Sequence, residues 1–424
     1  MTTFKPGSVS AFVWVYLPGK PTPVVTGRID YIEESSDGSK GRFFFTYGQS
    51  FLKSEILKDQ PYCLHPKELP LSPGLQAPTP SMQIASCLRD AGPDAWGRRV
   101  AGYHTKLANP DLLTELDYLV LAGSDRIGNL DVQLSSQKHT PSSADRASLS
   151  ELLEASEYIE SNRPLPAVLD RALLHGTSIG GARPKALISD NDCDYIAKFS
   201  SSSDQYAVVK AEHLSMRMAR ACGLNVADVR LESIAGKDIL LVKRFDRFMV
   251  GGNRCRKSVY SALTLLGMDE LEARYTSYED LSHVLRSACR KPKEDLRELY
   301  ARLVYNVLCG NTDDHARNHA AFWDGKYYDL TPAYDLCPQA RAGGEASQAM
   351  LISGHDRRSQ IASCVAACSQ FLLTEHEARE IAKTMVATIE HHWEAYCDES
   401  GLTERDRARL RNGAFLHPYA LEGF

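Results

Sequence analysis

The pattern of hydrophobic and polar residues predicts a mixed first half and a helical second half for this chain. Three short runs of β-branched and aromatic residues, interrupted by Pro, Gly, Ser and Asp, are typical of strands joined by turns: 11–17, 26–32 and 41–48. Between residues 170 and 245 strand-like runs alternate with a helical stripe, and the remainder has mostly helical periodicity. The predicted fold class is therefore α+β.

A chain of 424 residues exceeds the size of one ordinary hydrophobic core, so we expect more than one domain. We expect a small β-rich domain at 1–110, a mixed lobe at 111–248 and a helical lobe at 249–424. The segment 134–148 has almost no apolar residues and is predicted to be a linker or a mobile loop.

Composition and charge narrow the class of protein. Hydrophobic residues make up 43% and charged residues 24% of the chain, as in soluble globular proteins. The net charge of −5 argues against a general nucleic-acid-binding surface. The apolar runs are too short for a signal peptide or a membrane-spanning helix. The eleven cysteines include no C-x-x-C pair, so we expect reduced thiols in a cytoplasmic protein.

The sequence NTDDHARNHA at 311–320 places a polar cluster directly after an apolar run that is predicted to be a buried helix. The cluster is compatible with a metal site, a capped turn or a catalytic loop that handles phosphate. Asp313 and Asn318 have the D-x-x-x-x-N spacing of the kinase catalytic loop, in which the Asp accepts the hydroxyl proton and the Asn binds magnesium. Beyond a strand–turn–strand pattern, Asp335 is either a second oxygen ligand or a turn residue before Pro338.

Further residues upstream stand in the order of a kinase nucleotide site. The loop HGTSIGGARPKA (175–186) contains glycines that let the backbone approach phosphate, although an ordinary turn would have a similar composition. Lys198 lies in a predicted strand and Glu212 on the next predicted helix, in the order of the ion pair with which kinases hold the nucleotide phosphates. LLVKRFDR at 240–247 fits a strand that ends at a connection between lobes. Phosphoryl transfer accounts for all of these features.

A metal hydrolase is the alternative for the same polar cluster. His315 and His319 are spaced so that they would share one face of a helix and bind zinc together with neighbouring acids. The chain contains no H-E-x-x-H motif, however. We therefore favour phosphoryl transfer over metal-dependent hydrolysis.

Taken together, these segments resemble the HipA family of serine/threonine kinases, the toxin components of bacterial toxin–antitoxin pairs. The resemblance rests on GTSIGGARPKALI, IAKF, LLVKRFDR, NTDDHARNH and TPAYDLCP. RDAGPDAWGRRV is also similar to part of the β-rich domain that precedes the kinase in full-length members. The resemblance implies a two-lobed, protein-kinase-like fold behind a small β-rich N-terminal domain, with ATP and Mg²⁺ as cofactors.

The resemblance also implies roles for the residues at matching positions. Asp313 would be the catalytic base, and Asn318 and Asp335 would bind magnesium. His315 and Tyr334, which belong to the same two motifs, would lie beside the nucleotide.

Upstream, the resemblance implies that Lys198 contacts the nucleotide phosphates, whereas Glu212 matches only the general kinase pattern. The residues of the glycine loop that would surround the phosphates are Ser178, Ile179, Gly180, Gly181 and Ala182. Ser178 matches the residue that family members autophosphorylate, and Thr177 is a neighbouring candidate. A phosphate on this loop would add negative charge where ATP phosphates bind and would therefore repel the nucleotide.

The family's activity and partners follow as expectations. Its toxins phosphorylate components of translation, typically an aminoacyl-tRNA synthetase. They are bound by a small helix-turn-helix antitoxin of the HipB type, through which they contact DNA only indirectly. Asp314 stands where some members carry glycine, and its charge near the phosphates would raise the demand for metal or alter substrate preference. A catalytically silent kinase fold that sequesters an antitoxin–operator complex, or a kinase of small molecules, remains as an alternative.

Overall fold

The computed structural model describes residues 9–33, 41–105, 113–141, 148–161, 183–190, 193–201, 204–341 and 343–424, together with residues 163, 166 and 169. The chain forms two compact units. Unit 1 comprises Met1–Lys198, Arg244–Tyr260 and Phe322–Lys326, and unit 2 comprises Phe199–Lys243, Ser261–Ala321 and Tyr327–Phe424. The three-part division at residues 110 and 248 stays a prediction.

Strands and helices occur in both units. The strands are β1 (Ser10–Val15), β2 (Val24–Ile32), β3 (Arg42–Tyr47), β4 (Leu75–Gln76), β5 (Leu130–Gln133), β6 (Lys185–Ser189), β7 (Asp194–Phe199), β8 (Val229–Ile234), β9 (Lys237–Lys243), β10 (Arg247–Val250), β11 (Asn253–Arg256), β12 (Ser258–Ser261), β13 (Ala320–Trp323) and β14 (Tyr328–Leu330). The helices are α1 (Gln49–Leu52), α2 (Glu55–Asp59), α3 (Ser86–Asp90), α4 (Ala95–Thr105), α5 (Glu115–Leu121), α6 (Leu149–Glu160), α7 (Val208–Ala221), α8 (Ala262–Leu266), α9 (Tyr278–Ala288), α10 (Pro292–Cys309), α11 (Ile361–Ala366), α12 (Glu375–Glu399), α13 (Glu404–Gly413) and α14 (Pro418–Leu421).

Unit 1 contains a five-stranded antiparallel sheet in the order β4–β3–β2–β1–β5. The first three strands are the runs predicted from their β-branched and aromatic residues, and those predictions are confirmed. Alternate residues of β3 are buried because successive side chains of a strand point to opposite faces of the sheet. Phe45 and Tyr47 meet edge to face on the buried side, with ring centroids 4.8 Å apart.

Trp96 attaches α4 to the β6–β7 hairpin within unit 1. Its indole Nε1 donates to the carbonyl of Lys185 at 2.9 Å, and only 2% of the residue is exposed. The ring packs with Val100 and Ile159 in one buried cluster. A buried indole with a satisfied N–H contributes a large apolar surface without an unpaired polar group, so Trp96 is a core residue.

A buried ionic cluster in unit 1 joins the turn before β5 to the segment between β9 and β10. Asp246 accepts hydrogen bonds from Arg244 Nη2 (2.8 Å), from Arg247 Nη1 (2.6 Å) and from the Gly128 N–H (2.8 Å). Asp246 and Arg244 are buried, and a buried carboxylate is stable only with such partners. The segment 240–247, which the sequence predicts to be a connecting strand, therefore also contains buried charges that bind it to the turn before β5.

Unit 2 is organised around α10, a helix that is buried along most of its length. Helices α9, α11 and α12 pack against it, and α7 packs against the antiparallel β8–β9 pair. Gly223 follows the end of α7 with φ of 87°, a left-handed conformation that glycine adopts without strain where a helix stops.

None of the eleven cysteines forms a disulfide bond. Within the ranges given above, no helix combines the length and the apolarity that crossing a bilayer requires.

Helix α12 begins with a capping box formed by Thr374 and Glu377, whose three-residue spacing in the sequence predicts it. Thr374 Oγ1 accepts from the Glu377 N–H at 3.3 Å, and the Glu377 carboxylate accepts from the Thr374 N–H at 2.8 Å. We expect Thr374→Ala to lower the free energy of unfolding of unit 2 by about 1 kcal/mol, because the Glu377 N–H in the first turn loses its partner. Thermal unfolding measures this, with Thr384→Ala on an exposed site of the same helix as the control. Equal effects of the two substitutions would contradict a specific capping role.

Thr276 and Glu279 have the spacing of a capping box in the sequence, which predicts a helix start at Thr276, but α9 begins one residue later. Ser277, rather than Thr276, accepts from the Asp280 N–H at 2.9 Å. The Glu279 carboxylate instead accepts from Ser353 Oγ and from the Gly354 N–H, both at 2.9 Å. A tertiary contact therefore removes the acidic residue from the predicted box.

Candidate active site

The polar cluster at 311–319 follows α10 because that helix ends abruptly at Gly310. This residue has φ of 71°, a left-handed conformation that glycine adopts without strain. A Cβ at this position would lie 2.8 Å from the backbone of Ala414, so a larger residue would not fit. The chain thus turns directly from a buried helix into the candidate catalytic loop.

The loop brings the two ends of the D-x-x-x-x-N motif together. A 3₁₀ turn at Ala316–Asn318 shortens the path between them, and Asn318 Nδ2 donates to the carbonyl of Asp313 at 3.3 Å. Asp313 is exposed, whereas Asn318 is buried. The Asp313 side chain is therefore accessible to a substrate.

Asp335 is tied to the same loop. Its carbonyl accepts from Asn311 Nδ2 at 3.5 Å, and its φ of 59° lies in a region that costs about 1 kcal/mol or more for an L-residue. Partial burial raises the pKa of the Asp313 carboxyl; the nearby His315 opposes this rise, and the charges of Asp335 and Asp314 add to it. Asp313 and Asp335 are thus close enough for their charges to interact.

Tyr334 and His315 complete the arrangement in this loop. The Tyr334 hydroxyl donates to the carbonyl of Arg317 at 2.7 Å, which ties the PAYD motif to the catalytic loop. His315 precedes the 3₁₀ turn, and its Nδ1 is buried without a hydrogen-bond partner among the described residues. A buried polar atom of this kind is left for a ligand or a water molecule.

Asp314 differs from its neighbour because its carboxylate is buried. It accepts a short hydrogen bond from the Tyr278 hydroxyl, and its Oδ1 lies 3.0 Å from Nε2 of His319. The expectation that the charge of Asp314 raises the demand for metal or alters substrate preference stays a prediction. The structure also gives no helix face shared by His315 and His319, because a 3₁₀ turn separates them. Among the described residues, no three or more His, Cys, Asp and Glu side chains are grouped as a metal site would require.

The residues present nevertheless fit a magnesium–nucleotide complex. Asp335 supplies carboxylate oxygens and Asn318 an amide oxygen, the hard donors that Mg²⁺ prefers, while Asp313 lies beside them as the candidate base. Magnesium held by a few protein oxygens retains water and substrate phosphates as its other ligands, so this small donor set is sufficient. A divalent cation would also relieve the repulsion between the two carboxylates.

The predicted upstream residues are less completely described. Lys198 lies on β7 opposite Lys185 of β6, in unit 1, and Glu212 is buried on α7, in unit 2. Their ion pair therefore stays a prediction. The glycine-loop residues Thr177, Ser178, Ile179, Gly180, Gly181 and Ala182 lie outside the described residues.

The loop is supported from behind by residues that were not predicted from the sequence. Asn306 Oδ1 accepts from Asn311 Nδ2 at 2.9 Å, and Gln348 Nε2 donates to the carbonyl of Asn311 at 3.2 Å. Asn311, two residues before the D-x-x-x-x-N motif, was a detectable signal. No local pattern marks Tyr278 or Gln348, which are distant in sequence.

A family model described as the HipA-like C-terminal domain matches residues 177–393, slightly more than half of the chain. The chain belongs to this family. The match includes the glycine loop, Lys198, Glu212 and both motifs of the candidate site, so the family resemblance drawn from the sequence is confirmed.

Curated relatives of this HipA-family protein are named as kinases. Putative kinase Y4mE of Sinorhizobium fredii is 31% identical over 147 residues, which are 33% of this chain and 33% of that protein. The serine/threonine-protein kinase toxin HipA of Shewanella oneidensis is 25% identical over 183 residues, 38% of this chain and 42% of that protein. A putative kinase of Haemophilus influenzae is 28% identical, with coverage of 38% and 52%. The chain thus spans about a third to a half of the length of these relatives.

A solved structure extends the similarity to nearly the whole chain. The toxin HipA of Shewanella oneidensis, in a complex with HipB and operator DNA, has a TM-score of 0.66 and covers 94% of both chains. The sequence identity is 18%, so this match concerns the fold alone. It confirms the predicted two-lobed, kinase-like α+β fold.

Proposed function

We propose that this protein is an ATP-dependent serine/threonine protein kinase that acts as the toxin of a toxin–antitoxin pair. The observation that carries the proposal is the loop at 311–319, in which Asn318 bonds the carbonyl of Asp313 while Asn311 reaches the backbone of Asp335. Kinases require such convergence of a catalytic base with two magnesium ligands from separate segments.

In the proposed mechanism Asp313 orients the substrate hydroxyl and accepts its proton. Its exposed position gives the hydroxyl access, and its raised pKa makes the carboxylate a better proton acceptor. Asn318 and Asp335 hold Mg²⁺, which neutralises phosphate charge when it is bound. Most of the rate then comes from positioning and charge stabilisation.

The nucleotide is held by residues from both sequence regions. Lys198 and the backbone N–H groups of 178–182 grip the phosphates, and Glu212 pairs with Lys198. His315 and Tyr334 lie beside the nucleotide. The domain division at 110 and 248 belongs to this proposal, with the β-rich part preceding the two kinase lobes.

Substrate and partners are proposed from the relatives. The named toxin of Shewanella oneidensis and the solved HipA–HipB–operator complex support a small helix-turn-helix antitoxin as the partner, with DNA contacted through it. The proposed substrate is a component of translation, such as an aminoacyl-tRNA synthetase. Such a substrate and partner imply a cytoplasmic site of action.

The test is transfer of label from γ-labelled ATP by the purified, dephosphorylated protein. We expect label on the wild-type chain with Mg²⁺ and none after chelation, because the site lacks its counter-charge without the metal. Ser178→Ala should carry much less label than the wild type, since Ser178 is the proposed autophosphorylation site. If Ser178→Ala retains the label, autophosphorylation takes place at another residue, and Thr177 is the next one to replace.

The main alternative makes a different prediction in the same experiment. A catalytically silent kinase fold would bind ATP and Mg²⁺, seen as protection against thermal unfolding, yet transfer no label to itself or to a translation component. That outcome would contradict kinase activity and favour a binding module that sequesters an antitoxin–operator complex.

A further inference from the structure

A buried acid lies directly beside the proposed catalytic base. Asp313 is exposed, whereas only 1% of Asp314 is exposed. The carboxylate of Asp314 accepts a short hydrogen bond from the Tyr278 hydroxyl, and its other oxygen lies 3.0 Å from Nε2 of His319. The rings of Tyr278 and His319 meet edge to face at 5.2 Å. These three side chains, called here the buried triad, come from two segments of unit 2: Tyr278 from the start of α9, and Asp314 and His319 from the loop at 311–319.

Hydrogen bonds also hold the backbone around the buried triad in place. The segment 348–351 contacts both the loop at 311–314 and the start of α9. Its bonds to the loop run from Gln348 Nε2 to the Asn311 carbonyl (3.2 Å), from the Ala349 N–H to the Thr312 carbonyl (3.0 Å) and from the Met350 N–H to the Asp314 carbonyl (3.3 Å). Toward α9, the Tyr278 N–H donates to the Leu351 carbonyl at 2.9 Å. Tyr278 therefore comes from an element that is itself fixed against the loop.

Burial makes the position of Asp314 highly specific. An ionised carboxylate in an apolar interior is strongly unfavourable unless hydrogen bonds and opposite charge compensate it. Any shift of the loop that separates Asp314 from Tyr278 and His319 would leave the charge uncompensated. Because adjacent side chains share one backbone, the orientation that satisfies Asp314 also determines where Asp313 points.

We propose that Asp314 is a positioning residue: the buried triad of Tyr278, Asp314 and His319 holds the catalytic loop so that Asp313 stays directed at the substrate hydroxyl. This inference rests on the proposed kinase function for the role of Asp313. The Tyr278–Asp314 bond fixes the loop, and both side chains are buried.

The kinetic test removes each half of the Tyr278–Asp314 bond. We expect Tyr278→Phe and Asp314→Asn each to lower kcat roughly 10- to 100-fold, since a small misplacement of a catalytic group has effects of this size. The KM for ATP should change much less than kcat, because the proposed phosphate ligands Lys198 and residues 178–182 lie outside this loop. Rates are divided by the number of ATP-binding sites found by titration, so an unfolded fraction does not count.

The double variant and matched controls separate positioning from general damage. Tyr278→Phe with Asp314→Asn should be no slower than the slower single variant, because both remove one interaction. Tyr275→Phe removes an exposed hydroxyl and Asp329→Asn an exposed carboxylate of unit 2, and both should retain wild-type kcat. Fully multiplicative effects, or an unchanged kcat in the single variants, would overturn the proposal.

Amide hydrogen exchange tests the positioning without any catalysis. In Tyr278→Phe we expect the amides of 312–318 to exchange about tenfold faster, while those in the middle of α12 keep their wild-type rates. If the wild type transfers no phosphate but the loop amides respond in this way, the kinase function fails and the buried triad still fixes the loop. If the wild type is active and the loop amides do not respond, the triad does not position Asp313.

Discussion

Asp313→Asn should lower phosphate transfer roughly 10²–10⁴-fold, the range that removal of a general base produces. The amide is nearly isosteric with the carboxylate but cannot accept the hydroxyl proton. The hydrogen bond from Asn318 goes to the backbone carbonyl of residue 313, so the substitution does not remove it. We therefore expect the loop to keep its conformation and ATP binding to persist.

The measurement is single-turnover label transfer under saturating ATP, together with ATP-dependent protection against thermal unfolding. Asp329→Asn is the matched control, because Asp329 is an acid of the same unit that forms a partly exposed ion pair with Arg290. Its rate should equal that of the wild type. An Asp313→Asn protein that binds ATP and transfers phosphate at the wild-type rate would show that another group accepts the proton.

Short-range patterns predicted much of the fold. The strands β1 to β3 follow from their aromatic and β-branched runs, because such residues fit a half-buried pleated surface and the punctuation between them excludes a continuous helix. The start of α12 follows from the spacing of Thr374 and Glu377, which are one helical turn apart and meet whenever the helix forms. These features depend only on neighbours in sequence.

Tertiary contacts decided the cases in which the local pattern was ambiguous. Thr276 and Ser277 are both followed three residues later by an acid, so the sequence offers two overlapping starts for α9. The acid of the first one, Glu279, binds Ser353, which is 74 residues away. No local pattern contains that contact.

The candidate site also combines features that a local pattern predicts with features that depend on tertiary contacts. The D-x-x-x-x-N spacing predicted that Asp313 and Asn318 belong to one loop, because both lie within a single turn of chain. The burial of Asp314 could not be predicted, since its partner Tyr278 is 36 residues away and an acid next to another acid in a loop is ordinarily solvated. Burial of a charge is a property of the packed interior, which sequence neighbours do not specify.

The buried ionic cluster of unit 1 should be the most sensitive part of that unit to loss of one charge. We expect Asp246→Ala to lower the free energy of unfolding of unit 1 by about 3–5 kcal/mol, because Arg244 and Arg247 would lose their shared buried counter-ion. Asp246→Asn retains an acceptor of similar shape and should be less severe, which provides a second variant if Asp246→Ala does not fold. Glu55→Ala, which breaks the exposed pair with Lys58, is the control and should change stability by less than about 1 kcal/mol.

The charge of Asp246 also determines how the stability difference between the wild type and Asp246→Asn depends on pH. Burial alone would raise the pKa of Asp246, but Arg244 and Arg247 outweigh it and hold the pKa well below its ordinary value. The stabilisation is therefore complete above the unfolded-state pKa of about 4 and is lost as the pH falls toward the folded-state pKa.

Thermal unfolding followed by tryptophan fluorescence reports mainly on unit 1, which contains Trp14, Trp96 and Trp323. The gap in midpoint between the wild type and Asp246→Asn should be constant between pH 6 and 8 and shrink below about pH 4; a gap that grows on acidification would mean that the cluster does not stabilise the charged carboxylate.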